Sequence, residues 1–544
     1  MVGRVALGAL LAALLVAISY VALVAYAWFA DPRTPLPEPS AGQGDFSRLT
    51  HTVPAATIVP DRDPVKAIEQ LRDLVRQTAS QHGKITITGS RHSMGGHTLL
   101  DGSLSIDMRC DAFRRIDAVI NRDSIPIVHV GAGATWHELL TALDREGWSV
   151  AVMQSNDDFT VGGSISVNCH GWQPNSPPIA STIEAFRILL PDGSMRECQR
   201  GRAEDRELFG AVCGGYGLLG IILDVDLRVV PNALYRAEEF PATYANWAER
   251  FDSRVTKSAD AIGLAYGRIS IAPGPWFLRD ARIIRFVSTY PNTKLGDRTN
   301  TLDNPARQLA PKSWEINLAR AVFRASAGSD IGKLGRWTLE RIHGQTHRVV
   351  SRNGILRTPS EWFANRDPKF TEILHEYFVP PNKLAEFLNQ IRPILRKDGE
   401  IDLLNVTLRP VQKDDETILS YARLDEIGLV MLFRYPATSQ SDADMRAITE
   451  RLIEAALACS GSYYLPYRPH ATVDQFRRAY PRCEEFYELK KKYDPTEVFE
   501  NSFYRDYIKP AAQSFSNARR ESSVNGRKKD FAFWPFISLN YRQE

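Results

Sequence analysis

Four short glycine-rich segments in the first half of the chain constrain its fold more than any other feature. In chain order they are Gly89–Gly96, Gly131–Gly133, Val161–Ser166 and Gly214–Gly220. Glycine-rich turns let several backbone N–H groups approach one ligand without side-chain clashes, which is what the two phosphates of a dinucleotide need. None of the four has the spacing of a Rossmann nucleotide loop or of a P-loop. The sequence therefore predicts loops between regular elements that bind phosphate through backbone N–H groups.

The stretches around these loops carry helix and strand patterns. Asp63 is a favourable N-cap, Pro64 suits the first helical position, and apolar residues follow at helical spacing. Isoleucine and threonine alternate over residues 85–88, which indicates a strand. Thr135 and Glu138 form a capping box at the start of another helix. We expect a first lobe of mixed strands and helices with glycine loops at their ends.

The charge balance and the cysteines argue against several classes of ligand. The 544 residues contain 67 Lys and Arg against 64 Asp and Glu, and the formal charge of +3 gives no electrostatic reason to expect nucleic acid. Small molecules or lipids are the expected ligands. The cysteines contain no C-x-x-C pair, so neither a metal site nor a disulfide framework is predicted; they are Cys110, Cys169, Cys198, Cys213, Cys459 and Cys483.

An uncharged N-terminal run predicts one membrane helix. Val5–Ala30 contains no charged residue, and at about 1.5 Å per residue it is long enough to cross a hydrocarbon core of roughly 30 Å. The alternative is a cleavable signal peptide, since Ala25-Tyr26-Ala27 resembles a processing site. Arg4 and Arg33 lie on opposite sides of the run, so the positive-inside rule leaves the side of the soluble part undetermined.

Taken in order with their neighbours, the four loops resemble the FAD domain of the vanillyl-alcohol oxidase (PCMH-type) flavoproteins, over roughly residues 50–231. The segments that carry the resemblance are Gly89-Ser90-Arg91-His92-Ser93 with Gly95-Gly96, Val130–Trp136, Val161–Ile165, and Gly214–Gly217 with Gly220-Ile221-Ile222. The resemblance implies an α+β fold, with a PCMH-type FAD-binding domain of two subdomains. It also implies a substrate (cap) domain with an antiparallel sheet flanked by helices.

The resemblance and the N-terminal run together divide the chain into six predicted parts. They are a transmembrane anchor (1–30), a proline-rich linker (31–48), the FAD-binding domain (49–231), the substrate domain (232–480), a C-terminal segment that returns to the FAD-binding domain (481–510), and a flexible tail (511–544). An aromatic cluster in the tail, Phe531–Phe536, is a candidate contact with the membrane interface.

The same resemblance assigns the cofactor contacts. It implies that the first loop holds the pyrophosphate, that the later loops line the adenosine and the isoalloxazine ring, and that Ile222 meets the adenine through its backbone. The residues implied to bind FAD are Gly89, Ser90, Arg91, His92, Ser93, Gly95, Gly96, Gly131, Gly133, Gly162, Gly163, Ser164, Ser166, Gly214, Gly217, Gly220, Ile222 and Asn501.

His92 has a second implied role. In family members with a Gly-x-x-His-Ser loop, the histidine is joined to the 8α-methyl group of the flavin, and His92 occupies that place. An imidazole nitrogen is a competent nucleophile near neutral pH, and the bond would fix the ring and raise its potential. The alternative is a hydrogen-bonded loop histidine with noncovalent FAD. Doubly linked members have a cysteine where this chain has Asn156, so no cysteinyl link is expected.

The second half of the chain resembles the alditol and aldonolactone oxidases and the decaprenylphosphoryl-ribose oxidases. The resemblance rests mainly on Leu404–Arg409 and on Arg468-Pro469-His470. Three positions depart from it: Thr407 stands where alditol oxidases have a glutamate, Val473 where they have a lysine, and Tyr467 near a lysine of the decaprenylphosphoryl-ribose enzymes. The substrate of neither group therefore transfers directly to this chain.

Oxidation of an alcohol needs a base for the hydroxyl proton and hydrogen-bond donors for the developing alkoxide. Arg409 is the predicted donor, to the oxyanion or to the flavin, and His470 or Tyr467 is the predicted base. The alternative for each is a structural role.

The sequence thus predicts an FAD-dependent oxidoreductase that oxidises a hydroxyl of a sugar, polyol, lactone or lipid-linked sugar, with oxygen or a membrane quinone as electron acceptor. Two alternatives stay open at this point. One is flavin-dependent reduction of a C=C bond, and the other is a membrane-tethered protein that kept the fold without turnover.

Overall fold

The structure is a computed structural model that describes residues 2–36, 42–289, 313–343, 349–396 and 399–512, without the side chains of residues 2–10, 12, 13 and 343. The aromatic cluster Phe531–Phe536 and the predicted tail beyond residue 512 lie outside the described residues.

The described helices are α1 (Val2–Ala30), α2 (Pro64–Ser80), α3 (Trp136–Arg145), α4 (Val161–Ser166), α5 (Arg206–Val212), α6 (Trp247–Phe251), α7 (Ser313–Arg324), α8 (Asp330–His343), α9 (Arg352–Leu356), α10 (Leu384–Leu395), α11 (Ser439–Ala458), α12 (Val473–Ala479) and α13 (Cys483–Tyr493). The strands are β1 (Gln43–Gly44), β2 (His51–Thr52), β3 (Ala56–Ile58), β4 (Ile85–Thr88), β5 (Leu104–Asp107), β6 (Ile120–Arg122), β7 (Ile125–Gly131), β8 (Trp148–Val150), β9 (Ile183–Leu189), β10 (Met195–Gln199), β11 (Ile221–Pro231), β12 (Leu234–Thr243), β13 (Ile262–Ile269), β14 (Asp280–Ser288), β15 (Val349–Ser351), β16 (Phe370–Val379), β17 (Asp402–Val411), β18 (Glu426–Pro436) and β19 (Ser462–Tyr463).

The first lobe is built on two sheets. A parallel sheet of order β3-β5-β4 packs against the apolar face of α2, and an antiparallel sheet has the order β10-β9-β11-β7-β6, with β8 also paired to β11. The predicted N-cap of α2 at Asp63 and the capping box of α3 are both confirmed. The segment Val161–Ser166, predicted as a loop, is instead the short helix α4, because the Thr160 side chain caps it by accepting from Gly163 N.

The second lobe is built on one antiparallel sheet of order β15-β12-β14-β13-β17-β18-β16-β19. Its strand β16 shows how the two faces of the sheet differ. His375 contacts Thr449 of α11, and Tyr377 packs against Phe387 of α10, so these helices cover one face. Because successive side chains of a strand point to opposite faces, Glu376 points away from the helices. The predicted mixed α and β architecture with an antiparallel sheet in the second half is confirmed.

The last described segment runs back to the first lobe. Asp494 pairs with Lys490 inside the core, and its carboxylate accepts from the backbone N–H groups of Val498 and Phe499 at 2.9 and 2.8 Å. Phe499 then forms a parallel bridge with Ile85 of β4. A buried ion pair that also receives backbone hydrogen bonds holds a turn firmly, because removing either partner leaves an uncompensated charge.

Two neighbouring residues of α9 connect the lobes. The buried guanidinium of Arg352 donates to the carbonyl oxygens of Val150, Ala151 and Gly263 at 2.7–3.1 Å. The side chain of Asn353 donates to Asp144 and to the carbonyl of Trp148. Arg352 therefore ties the second lobe to the end of β8, and Asn353 ties it to α3 and to the start of β8.

Helix α1 lies against α7 and α8. The Tyr20 ring is buried against Gly335, and Asp31, just after α1, pairs with Arg320 at 2.5 Å. In the described part of the chain no helix has the length and hydrophobicity to cross a membrane. The predicted transmembrane helix is therefore not confirmed.

Glu426, at the start of β18, gives a prediction for pH-dependent stability. Its carboxylate is buried without a hydrogen-bond partner, and burial raises its pKa to about 8. In the unfolded chain a glutamate has a pKa of about 4.3, so the folded state is penalised increasingly as pH rises from about 4.3 to about 8. The penalty corresponds to roughly 5 kcal/mol at the upper end.

We expect Glu426→Gln to raise the melting temperature by several degrees at pH 8 and to leave it unchanged below pH 4. Thermal denaturation at a fixed scan rate over this pH range measures the difference. A gap between wild type and variant that is constant with pH would show that Glu426 is ionised in the folded protein.

Candidate active site

One cavity of about 550 Å³ lies between the lobes and is lined by both of them. From the first lobe it receives the loop 87–94 with His97 and Thr98, residues 154–172, and Gly217, Gly220 and Ile222. From the second lobe it receives side chains of β13, β16, β17 and β18, together with Tyr464 and Tyr467. Its size is that of a cofactor or substrate pocket, for which roughly 300–1,000 Å³ is usual.

The loop after β4 presents polar atoms to this cavity. Arg91 adopts a left-handed backbone conformation, with φ of 55°, and so turns the loop sharply after Gly89. Several buried polar atoms of the cavity wall have no hydrogen-bond partner among the described residues; they include His92 Nδ1, Ser93 Oγ, both ring nitrogens of His97, Thr98 Oγ1 and Gln154 Oε1. Unsatisfied buried polar atoms are rare in folded proteins, so this run of them fits a polar ligand.

His92 is held by contacts on three sides. Its Nε2 lies 3.0 Å from Ser360 Oγ and 3.3 Å from an Asp158 carboxylate oxygen. Its ring is stacked between Phe46 and Phe159, at centroid distances of 5.3 and 4.0 Å. The contacts at Nε2 favour the tautomer with the proton on that nitrogen, which leaves the lone pair on the buried Nδ1.

Most residues predicted to bind FAD lie on the cavity wall: Gly89, Ser90, Arg91, His92, Ser93, Gly162, Gly163, Ser164, Ser166, Gly217, Gly220 and Ile222. The others lie behind it: Gly95, Gly96, Gly131, Gly133, Gly214 and Asn501. Asn501 donates to the carbonyl oxygens of His97 and Tyr216 at 2.7 and 3.1 Å, so it joins two loops of the wall rather than facing the cavity.

Gly131 and Gly133 are required by the packing of backbone segments. A Cβ at Gly131 would lie 2.3 Å from the carbonyl oxygen of Phe113, and a Cβ at Gly133 would lie 1.9 Å from that of Met108. Any side chain at either position would force the backbone apart. Gly131 and Gly133 therefore support the wall from behind, and Ala132 between them lies on it.

The predicted substrate residues separate in the same way. Arg409 and Tyr467 lie on the cavity wall, and Arg409 Nη2 donates to Ser155 Oγ at 3.1 Å. His470 does not reach the cavity: it is fully buried, with Nδ1 3.2 Å from Thr449 Oγ1 and Nε2 3.3 Å from Asp442. Its predicted role as a base therefore has no geometric support.

Tyr467 is on the wall but is poorly suited to be a base. Burial raises the pKa of its phenol, and the nearby Glu376 carboxylate raises it further. The neutral phenol is therefore strongly favoured, and it can serve as a hydrogen-bond donor.

The sequence prediction missed several charged or titratable residues of the wall; they include His97, His170, Arg268, Arg336, Glu372 and Glu376. The sequence does contain one clue to Glu376: it is a charged residue next to the apolar run Tyr377–Val379 of a predicted strand, where a buried charge is unusual. The two arginines lie far apart in sequence, and both contact Glu340. No local pattern links such residues.

Comparisons with known proteins agree with this geometry. Residues 64–199 match the model of an FAD binding domain, and residues 276–507 match that of D-arabinono-1,4-lactone oxidase. L-gulonolactone oxidase of Mus musculus is 21% identical over 452 residues, covering 80% of this chain and 92% of its own length. Cytokinin dehydrogenase 7 of Oryza sativa subsp. japonica is 30% identical over 489 residues, covering 84% and 87%. Decaprenylphosphoryl-beta-D-ribose oxidase of Mycolicibacterium smegmatis is 24% identical over 474 residues, covering 85% and 96%.

FAD is therefore the cofactor, and the cavity wall fits it. The residues that would hold it are the unpartnered polar groups between His92 and Thr98 and the small residues of 162–166, with Gly217, Gly220 and Ile222 beyond them. Glycine and serine leave backbone N–H groups accessible along this part of the wall.

Proposed function

Since the chain belongs to the PCMH-type FAD-dependent oxidoreductases, we propose that it oxidises the CH–OH group of a sugar, polyol, lactone or lipid-linked sugar, with oxygen or a quinone as electron acceptor. When bound, FAD supplies a hydride acceptor at its N5 atom. One observation carries the proposal: the loops that fit FAD and the side chains Arg409 and Tyr467 line the same cavity. A substrate in the second-lobe part of this cavity would lie beside the cofactor.

Arg409 is the proposed donor to the substrate oxygen. It is on β17, its side chain faces the cavity, and its Nε is buried without a partner among the described residues. A guanidinium placed at a developing negative charge stabilises that charge strongly inside a pocket from which water is excluded. The contact with Ser155 fixes the direction of the guanidinium before substrate arrives.

We expect Arg409→Leu to slow flavin reduction by substrate by about 10²–10³-fold, the usual effect of removing one oxyanion donor. His470→Gln should leave the rate within about twofold, because His470 lies outside the cavity. Stopped-flow bleaching of the flavin with a panel of aldonolactones, polyols and polyprenyl-phosphate sugars measures both. Full activity in Arg409→Leu together with a loss in His470→Gln would contradict this assignment.

A covalent bond between His92 and the flavin is the second part of the proposal. The buried lone pair at Nδ1 and the contacts of Nε2 with Ser360 and Asp158 support it. Formation of the N–C bond would remove one hydrogen from the imidazole and one from the 8α-methyl group, and these would leave as two protons and two electrons, which the electron acceptor would take.

A denaturing gel tests the bond. We expect the wild-type band to fluoresce as flavin and the His92→Ala band to be dark. His97→Ala, which removes the other histidine of the same loop, should keep a fluorescent band. A dark wild-type band would instead show that the FAD is held noncovalently.

Association with a membrane through α1 is the third part. Leu14, Leu15, Ile18 and Val21 of α1 are each more than half exposed, and Trp314 on the adjacent α7 is 57% exposed. Clustered exposed aliphatic and aromatic side chains favour contact with lipid. The uncharged run Val5–Ala30 supports the same location.

We expect the full chain to float with phosphatidylcholine vesicles in a density gradient. Replacing Leu15 and Ile18 together by Glu should reduce the floating fraction severalfold, because two charges would enter the lipid-facing surface. Replacing Val59 and Val65, equally exposed on the first lobe, by Glu serves as the control and should change nothing. Equal flotation of all three proteins would rule out this surface.

A further inference from the structure

We propose that Glu376 and His170 act together as the proton acceptor for the substrate hydroxyl, a role that rests on the function proposed above. The two residues come from different lobes and meet on the wall of the shared cavity. Their side chains are 1% and 4% exposed, and His170 Nε2 lies 2.8 Å from Glu376 Oε1.

Glu376 faces the same side of the sheet as the predicted substrate residues. It pairs with Val430 on β18, and Val430 pairs with Thr407 on β17. Directly paired residues of neighbouring strands point their side chains to one face, so the three form a row across the sheet. All three line the cavity. The Thr407 hydroxyl cannot act as an acid or base near neutral pH. Glu376, two strands away in the same row, supplies a carboxylate instead.

Among the described residues, Glu376 is the wall carboxylate that has no arginine or lysine partner. The other glutamate of the wall, Glu372, is bonded to the Arg324 guanidinium. In the described part of the chain, His170 is the titratable group in direct contact with the Glu376 carboxylate. Because the Arg324 guanidinium already engages both oxygens of Glu372, Glu376 is the wall carboxylate left to contact a substrate.

His170 is likewise the wall histidine suited to this task. Contacts with Asp158 and Ser360 engage His92. His97 lies among aromatic rings of the first lobe, and burial lowers its pKa to about 3, which makes it a poor proton acceptor.

Both members of the pair keep unused hydrogen-bonding capacity. Although His170 Nε2 and Glu376 Oε1 are 2.8 Å apart, their directions do not meet the angle of a hydrogen bond, and both atoms remain without a hydrogen-bond partner among the described residues. The second ring nitrogen of His170 is also buried and unpartnered. Buried groups in this state have unused capacity for a ligand, here the hydroxyl of a substrate.

The backbone around the pair is built to hold it. Gly428 leaves space for the carboxylate, since a Cβ there would lie 2.6 Å from Glu376 Oε1. Two residues before His170, Asn168 is in a left-handed conformation with φ of 48°, and its side chain donates to Asp414 at 2.9 Å. The Tyr421 hydroxyl donates to the Asn168 carbonyl oxygen at 2.8 Å. The second lobe therefore positions the histidine of the first.

The proton balance of the reaction is simple. Oxidation of the CH–OH group to C=O would release a hydride, which bound FAD would accept, and the O–H proton, which the Glu376–His170 pair would accept. The pair returns the proton to solvent when the acceptor has removed the electrons. A positioned general base contributes about 10²–10⁴-fold to such a step.

The test is flavin reduction followed by stopped flow in holoenzyme, first with L-gulono-1,4-lactone and then with the polyol and lipid-linked sugar panel. We expect Glu376→Gln to slow reduction by about 10²–10³-fold, while the dissociation constant from the concentration dependence changes less than about threefold. Glu376→Asp should recover part of the rate. Glu376→Gln combined with His170→Asn should be little slower than either change alone, because the two act as a unit.

Glu426→Gln is the matched control, since it makes the same carboxyl-to-amide change at a buried position of the same sheet that lies outside the cavity. We expect substrate to reduce the flavin of this variant at the wild-type rate. If substrate reduces the flavin of wild type and of Glu376→Gln equally fast, the role of the pair is overturned while the proposed function stands. The same holds if Glu376→Gln weakens substrate binding without slowing flavin reduction. A wild type that no compound of the panel reduces would overturn the proposed function, and the role of the pair with it.

Discussion

The arrangement of the site depends on Arg352. Its guanidinium satisfies two carbonyl oxygens at the end of β8 and one on β13, and so fixes the second lobe against the segment that leads into residues 154–172. That segment carries Gln154, Ser155 and His170, which all line the cavity. A buried guanidinium bonded to three carbonyls cannot move without leaving several polar groups unsatisfied. The cavity between the lobes is therefore a fixed feature rather than a by-product of loose packing.

The sequence predicted the framework of the first lobe well, because its signals are local. The N-cap at Asp63 and the capping box at Thr135 act over three or four residues, and both are present. The glycine pattern was less informative, because glycine is needed both where backbone approaches a ligand and where it packs against another backbone segment. Gly217 lies on the cavity wall, where no atom comes closer than 3.7 Å to the position of a Cβ, whereas Gly133 is packed against the carbonyl oxygen of Met108. A single sequence contains nothing that separates these two requirements.

The substrate side was predicted less well, because its residues meet only through tertiary structure. His470 and Tyr467 are three residues apart, yet only Tyr467 reaches the cavity, while His470 turns into a network with Thr449 and Asp442. Glu376 and His170 are more than 200 positions apart in the chain. Sheet register and the contact between lobes bring them together, and neither can be deduced from residue spacing.

The wall of the substrate region also connects to helix α1. Arg336 lines the cavity, and burial lowers its pKa to about 10 although the Glu340 carboxylate opposes this shift. Tyr20 of α1 packs on Gly335, the residue before Arg336. A change at the surface of α1 that displaced Tyr20 would therefore alter the support of a charged residue of the wall. The α1–α8 contact that places α1 beside the second lobe therefore also supports one end of the cavity, where Arg268 and Arg336 both pair with the Glu340 carboxylate.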